Sequence, residues 1–356
     1  MGYKPDEIFM KRCINLARGG LGMVAPNPMV GCVIVHDNRV IGEGYHRVFG
    51  KEHAEVNAVN AVENKKLLPE STVYVSLEPC SHHGKTPPCT DLLIHHKVKE
   101  VVIADTDPFH LVSGRGIKKL VQNGVQVKTG ILQKDARWLN RRFYTFHLHE
   151  RPYIILKWAQ TADGFIDKIR SPEEGIGPNW ITDDFSRALV HKWRSEEQSI
   201  MVGTNTVLID NPELNVRNWT GKSPLRVVPD FHDRLNHDLK VFNNKSGTII
   251  INAKRAGKED NVEYVCFEQE KWIERLFLWL HEKNIQSIII EGGSKLLQSF
   301  IDAGIWDEAR VFTGNSQFHR GVKAPVLNTL PKFTEMIGEY KLEVCYNPKL
   351  SDLLNQ

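Results

Sequence analysis

At 356 residues the chain is longer than one compact domain usually grows, and 41% hydrophobic with 25% charged residues is ordinary globular composition, free of low-complexity or collagen-like bias. A net charge of +3 dispersed over that length argues against a nucleic-acid-binding surface, and no run approaches the roughly 20 apolar residues of a membrane helix. Six cysteines are few for a secreted chain, and only Cys80 and Cys89 lie close together, which points to the cytoplasm and to metal binding rather than disulfides.

In chain order, apolar residues at helical spacing run from Glu7 to Arg18 and stop at Gly19-Gly20. "MVGCVIVH" and "RVIGEGY" flank "DN" as a hairpin. A helix follows from about His53 to Lys65, then strand "TVYVSL", helix "CTDLLIHHKV", strand "EVVIAD", helix "RGIKKLVQNG" and strand "VQVKTGI". Alternating helices and strands after a hairpin predict a three-layer α/β/α domain with a mixed sheet. "KDARWLNRRFYTFHLHERP" reads as a closing helix and charged linker, placing a boundary near His149 between domains 1–149 and 150–356. The second half predicts strand "YIILKWA", helix "FSRALVHKWRS", strands "SIMVG", "LRVVPD" and "GTIIIN", helix "EKWIERLFLWLHEK", strand "SIIIEGG", helix "SKLLQSFIDAG", and strands near "EARVFT" and "KLEVCY". No repeat relates the halves.

In the first half, "HAEV" sets His53 two residues before Glu55, and Pro79-Cys80 and Cys89 follow downstream. One imidazole and two thiolates are good zinc ligands, and three protein ligands leave a fourth position for water. Side chains two apart on a helix point about 200° from each other, so His53 and Glu55 can share a site only at a helix N-terminus. There Glu55, the expected catalytic group, can shuttle a proton from water to a leaving amine. His82 and His83 are rival ligands within "SHHGKTPP", although the set is complete without them. The order H-x-E, then P-C, then C is that of zinc nucleobase deaminases, with eight residues between the cysteines instead of two.

"PNPMVGCVIV", "GEGYH", "HAEV", "LEPCSHHGKTPPC" and "DP…SGRG" together resemble the deaminase domain of the bifunctional riboflavin-biosynthesis deaminase/reductases. The resemblance implies a cytidine-deaminase-like fold, and hydrolysis of the ring 2-amino group of a 2,5-diamino-6-ribosylamino-pyrimidinone 5'-phosphate. It also implies that Asn27, His46, His82 and Lys85 contact substrate. Asp107 matches the family's "DPNP", whereas Phe109 stands where that motif has an asparagine.

The second half lacks G-x-G-x-x-G after its first strand, but "SIIIEGGSKLLQSFIDAG" reads as a strand, a Gly292-Gly293 turn, a Ser294 N-cap and a helix, a ready phosphate cradle. "ADG", "NWIT", "VGTNTVLIDNPELNVR" and "EGGS" resemble the family's reductase domain, which implies a dihydrofolate reductase-like α/β fold and NADPH-dependent reduction of ribosyl to ribityl. By that resemblance Trp180, Thr206, Asp210, Gly292, Gly293 and Ser294 bind cofactor, while Arg194, Leu214, Arg217 and Glu291 bind substrate. Two arginines suit a sugar phosphate, because guanidinium forks hold phosphate oxygens in pairs. No acid for the hydride step stands out. Pro178 replaces the serine usual in this family, and "GNSQFHRGVKAP" stands where "PKLLG" is expected. The family also implies a homodimer or higher homo-oligomer, with a small phosphorylated pyrimidine as its partner. A nucleoside or tRNA deaminase with a non-catalytic C-terminal binding module is the alternative, but a tRNA reader should show a basic face bearing aromatics. A structural zinc protein would leave Glu55 without a task.

Overall fold

The computed structural model describes residues 4–82, 87–109, 113–170 and 175–350. The chain divides into two compact units, one ending at His149 and the other starting at Glu150.

In the first unit the strands are β1 (Gly31–His36), β2 (Arg39–Tyr45), β3 (Thr72–Val75), β4 (Glu100–Ile103) and β5 (Gln126–Thr129). They form a sheet of order β2-β1-β3-β4-β5, antiparallel around β1 and parallel from β3 to β5. The helices are α1 (Pro5–Ala17), α2 (Ala54–Ala61), α3 (Cys89–His95), α4 (Arg115–Gln122), α5 (Gln133–Leu139) and α6 (Arg141–His149). The alternation of side chains along a strand separates two cores. Cys32, Ile34, Val73, Val75, Val101 and Ile103 face α2, α3 and α4, whereas Val33, Val35, Tyr74 and Val102 face α1 and α5. This is the three-layer sandwich the sequence predicts.

Two glycines of "GEGYH" have a packing purpose. A Cβ on Gly42 would sit 2.5 Å from the Ala58 carbonyl oxygen, and one on Gly44 2.6 Å from the Ala58 nitrogen. Their absence of side chain lets α2 lie directly on β2, which fixes where His53 and Glu55 emerge.

The second unit contains β6 (Tyr153–Gln160), β7 (Phe165–Lys168), α7 (Asp184–Glu196), β8 (Ser199–Met201), α8 (Thr204–Asp210), β9 (Leu225–Pro229), β10 (Thr248–Asn252), β11 (Gly257–Glu259) and β12 (Val262–Cys266). It continues with α9 (Trp272–Glu282), β13 (Ser287–Glu291), α10 (Ser294–Asp302), β14 (Glu308–Thr313), β15 (Gly321–Lys323), β16 (Phe333–Ile337) and β17 (Tyr340–Tyr346). Ten of these strands make one sheet of order β11-β12-β10-β9-β8-β13-β6-β14-β17-β16. From β12 through β14 the neighbours are parallel, and the strands beyond both ends turn antiparallel. The central strands "YIIL", "SIIIE" and "TIIIN" are buried throughout, as expected for parallel strands covered on both faces. β7 and β15 pair as a separate two-stranded ribbon.

Candidate functional site

The first constellation lies where three segments of the first unit meet. His53 occupies the N-cap of α2 in extended backbone, Cys80 ends the turn after β3, and Cys89 opens α3. His53 Nδ1 lies 3.6 Å from Cys80 Sγ and 3.4 Å from Cys89 Sγ, and the three donor atoms fall within 4.8 Å of one another. With zinc bonds of about 2.0 Å to nitrogen and about 2.3 Å to sulfur, tetrahedral ligands stand about 3.5 Å apart, so this donor set fits zinc. The Cys89 N–H donates to Cys80 Sγ at 3.3 Å. Hydrogen bonding from Cys89, aided by His53, offsets burial and pulls the Cys80 thiol down to about 4, while Cys89 moves the opposite way. The pair is thus primed to hold a thiolate.

Glu55 lies in the first turn of α2, 3% exposed, and its carboxyl is raised chiefly by burial. A carboxyl that is easily protonated beside a metal-type site is the group expected to carry a proton. His46 is buried and lies edge-on to His53 with ring centroids 5.2 Å apart. Its Nδ1 donates to the Glu52 carbonyl at 3.0 Å, so its Nε2 accepts from the Asn27 amide at 3.1 Å. Asn27 and His46 are therefore joined next to the ligand cluster. His82 is exposed, and Lys85 lies outside the described residues.

Sequence reasoning missed the organiser of this site. The carboxylate of buried Glu78 accepts from the backbone N–H groups of Asp107, Gly114, Gly116 and Ile117 at 3.3, 2.9, 2.8 and 3.2 Å. It caps α4 and anchors the stretch around Asp107 beside Cys80. "LEPC" placed Glu78 next to the ligand, but only the fold reveals its four donors.

The second constellation is a cleft of about 1200 Å³ at the C-terminal ends of β6, β13, β8 and β9, the usual ligand position in parallel sheets. Trp180, Thr206, Asp210 and the Gly292–Ser294 turn all line it, as do Arg194, Leu214, Arg217 and Glu291. Gly292 and Gly293 have φ of 69° and 76°, and a Cβ on either would come within 3.2 Å of the Thr206 side chain. The N-cap of α10 is Gly293 and Ser294 is its first residue, so the helix starts one position earlier than the sequence implied. Two successive left-handed glycines turn the chain so sharply that Ser294 is already helical.

Arg194 lines the cleft already paired with an acid. Its Nε and NH2 groups grip the two oxygens of Glu291 at 2.8 and 2.7 Å, so its fork is already filled by an acid. Burial alone would raise the Glu291 carboxyl, but Arg194 and Lys157 outweigh it and hold it at about 2. Arg217 is the more exposed guanidinium, 43% exposed, bonded to Asn215 Oδ1 at 2.9 Å and 3.6 Å from the Glu213 carboxylate. Leu214 adopts a left-handed φ of 54°, uncommon for a bulky side chain, on the turn leading to Arg217.

Lys157 and His191 also line the cleft and were not singled out from the sequence. Lys157 Nζ lies 3.9 Å from Glu291, and burial makes its ammonium easier to deprotonate. The signal was present: one lysine interrupts the apolar strand "YIILKWA". Burial lowers the His191 imidazole to about 4, and its Nδ1 accepts the Arg217 N–H at 3.3 Å.

Residues 3–105 match the family model described as the cytidine and deoxycytidylate deaminase zinc-binding region, and residues 152–315 match that of the RibD C-terminal domain. The riboflavin biosynthesis protein RibD of Aquifex aeolicus is 39% identical, with 86% of each chain covered. That of Actinobacillus pleuropneumoniae is 38% identical, covering 94% of this chain and 93% of its own. Among solved structures, the diaminohydroxyphosphoribosylaminopyrimidine deaminase/5-amino-6-(5-phosphoribosylamino)uracil reductase of Thermotoga maritima superposes with a TM-score of 0.86 at 35% identity, covering 96% of this chain and 99% of its own. Acinetobacter baumannii RibD gives 0.85 at 29% identity, covering 96% and 98%.

Proposed function

This chain belongs to the RibD family of bifunctional riboflavin-biosynthesis deaminase/reductases, and from that premise we propose how its two units divide the chemistry. Residues 1–149 are the deaminase domain, taking the 2,5-diamino-6-ribosylamino-pyrimidinone 5'-phosphate. Residues 150–356 are the reductase domain, taking the deaminated product. A non-catalytic second module is not favoured, since relatives match across both halves.

His53, Cys80 and Cys89 would hold zinc, which when bound brings a water's pKa toward neutrality. Glu55 takes a proton from the attacking water and delivers it to the exocyclic nitrogen, so that the water oxygen bonds to the ring carbon while the bond from that carbon to the exocyclic nitrogen breaks and ammonia leaves. Its burial keeps it able to accept and release a proton in turn. Asn27 and His46 orient the ring beside it, and the loop carrying His82 and Lys85 supplies recognition.

In the second cleft NADPH would supply the hydride for C1' of the opened sugar. The Gly292-Gly293 turn, Ser294 and Thr206 take its phosphates, with Trp180 and Asp210 on the same side. Arg217 takes the substrate phosphate, Leu214 borders it, and Glu291 keeps Arg194 and Lys157 in place. Lys157 gives the proton that balances hydride addition, a role supported by its burial and its place on the cleft wall. The observation that carries this reading is the convergence of ten motif residues, dispersed from Trp180 to Ser294, on one cleft.

The enzyme is proposed to act in the cytoplasm as a homodimer or higher homo-oligomer. Among the described residues no helix is long and apolar enough to cross a membrane. Among the described residues edge strand β16, with Phe333 and Met336 exposed, pairs on one side only, leaving the other for a second copy to extend. The full chain given zinc, the diaminopyrimidine nucleotide and NADPH should release ammonia and oxidise NADPH in equal amounts. Ammonia release without NADPH oxidation would refute the reductase assignment.

A further inference from the structure

Arg170 takes no part in either chemistry, yet its guanidinium reaches in three directions. It lies two residues after β7, and it lines the cleft together with Asn179 and Trp180. Nε and NH2 grip Asp167 Oδ2 at 3.2 and 3.0 Å, NH2 also pairs with Asp210 Oδ1 at 2.8 Å, and NH1 donates to the Gly177 carbonyl. The other Asp167 oxygen accepts from the Asn179 amide at 2.6 Å, and the Gly177 N–H donates to the Ile209 carbonyl at 3.1 Å. One cation, its side chain 15% exposed, thus ties residues 165–170 and 175–179 to the C-terminal end of α8.

Among the described residues, apolar packing adds little at this edge. Ile176 and Trp180 are 70% and 59% exposed, so apolar burial contributes little until Ile181. Pro178 has no N–H to bond with, and the Trp180 ring rests on the Arg187 guanidinium, 4.5 Å from its centroid. Two carboxylates, Asp167 and Asp210, share the one guanidinium at a wall of the cleft. Without Arg170 an anionic dinucleotide would meet two uncompensated charges at short range, where repulsion is weakly screened.

We propose that Arg170 is a positioning residue of the reductase site: it latches the Asn179–Trp180 edge of the cleft to α8 and cancels the charge of Asp210 where an anionic cofactor binds. The proposal rests on the reductase reading above.

The test uses the full chain, with NADPH binding followed by nicotinamide fluorescence and reductase KM and kcat measured separately. Arg170→Met should raise the NADPH Kd and KM roughly tenfold while kcat at saturation changes by less than about threefold, the size expected for a lost charge-assisted pair. Asp210→Asn, harmful on its own, should win back several-fold affinity in the Arg170→Met background. If Arg170→Met does not fold, Arg170→Lys decides, since charge without the fork should weaken NADPH by about threefold. Affinity within about twofold of wild type for whichever variant is read, or Asp210→Asn costing as much in the Met background as in wild type, would overturn the latch. Wild-type protein that fails to bind NADPH would overturn the reductase reading itself, and the latch with it.

Discussion

The two sites of this enzyme are built in opposite ways. In the deaminase unit the reactive groups come from short motifs, three of them at helix starts and Cys80 on the loop after β3, and their chemistry follows from residue type: an imidazole, two thiols and one buried acid. In the reductase unit the cleft is assembled from the ends of four parallel strands, by side chains that are common anywhere in proteins. A Cys-His cluster declares its chemistry wherever it is found, whereas a lysine or arginine acquires a role only from its surroundings. The first site therefore stands or falls with individual ligands, and the second depends on a shared electrostatic frame in which Glu291, Arg194, Lys157 and His191 set one another's charge states.

That contrast can be broken at several points. Cys89→Ser should lose metal and deamination together, by at least about 10³-fold in rate, while reduction of the deaminated pyrimidine continues; metal analysis alongside both assays checks this. Retained zinc with full activity would remove Cys89 from the ligand set. Lys157→Met should lower reductase kcat by about 10²-fold and leave ammonia release unchanged. A change in KM alone would make Lys157 a binding group instead of the proton donor.

Glu291→Gln sharpens the idea of a shared frame. Removing one partner of a buried ion pair leaves Arg194 uncompensated, so the second unit should lose about 3–5 kcal/mol in denaturant unfolding, with the deaminase transition unmoved. A loss under about 1 kcal/mol would mean that water already satisfies Arg194.

The smallest effect is a pH dependence. The unfolded His191 takes a proton near its ordinary 6.5, but the folded imidazole does so only at about 4. Acidification through that window favours the unfolded state, so the stability of the second unit should fall from 6.5 to about 4 and this contribution should then level off. His191→Gln should flatten the slope between those values, and an unchanged slope would assign it to other groups.

The same contrast explains what the sequence revealed. The strands and helices of the first unit follow their periodicities, except that the closing helix divides into α5 and α6 at Asn140. In the second unit "TNTVLID" forms α8 although its β-branched residues favour strand, because it is only seven residues long and held by the turn it carries to the cleft. The strands missed, β7, β11, β15 and β16, have no buried residue and so lack an alternating apolar pattern; β12, as long as β9 and β10, carries Glu263 within it and so offers no continuous apolar run. The ligand motif was legible because its residue types are rare. Glu78, Lys157, His191 and Arg170 were not, because each takes its importance from partners that the fold brings from distant parts of the chain.

We propose that one polypeptide carries two separable chemistries, with Glu55 serving only the first. Glu55→Gln tests it directly in the full chain, assayed for zinc content, for ammonia release from the diaminopyrimidine nucleotide, and for NADPH oxidation with the deaminated nucleotide. The variant should hold about one zinc per chain, release ammonia about 10³-fold or more slowly, and oxidise NADPH at the wild-type rate. Ammonia release at the wild-type rate, or loss of both reactions from a folded, zinc-loaded protein, would contradict it.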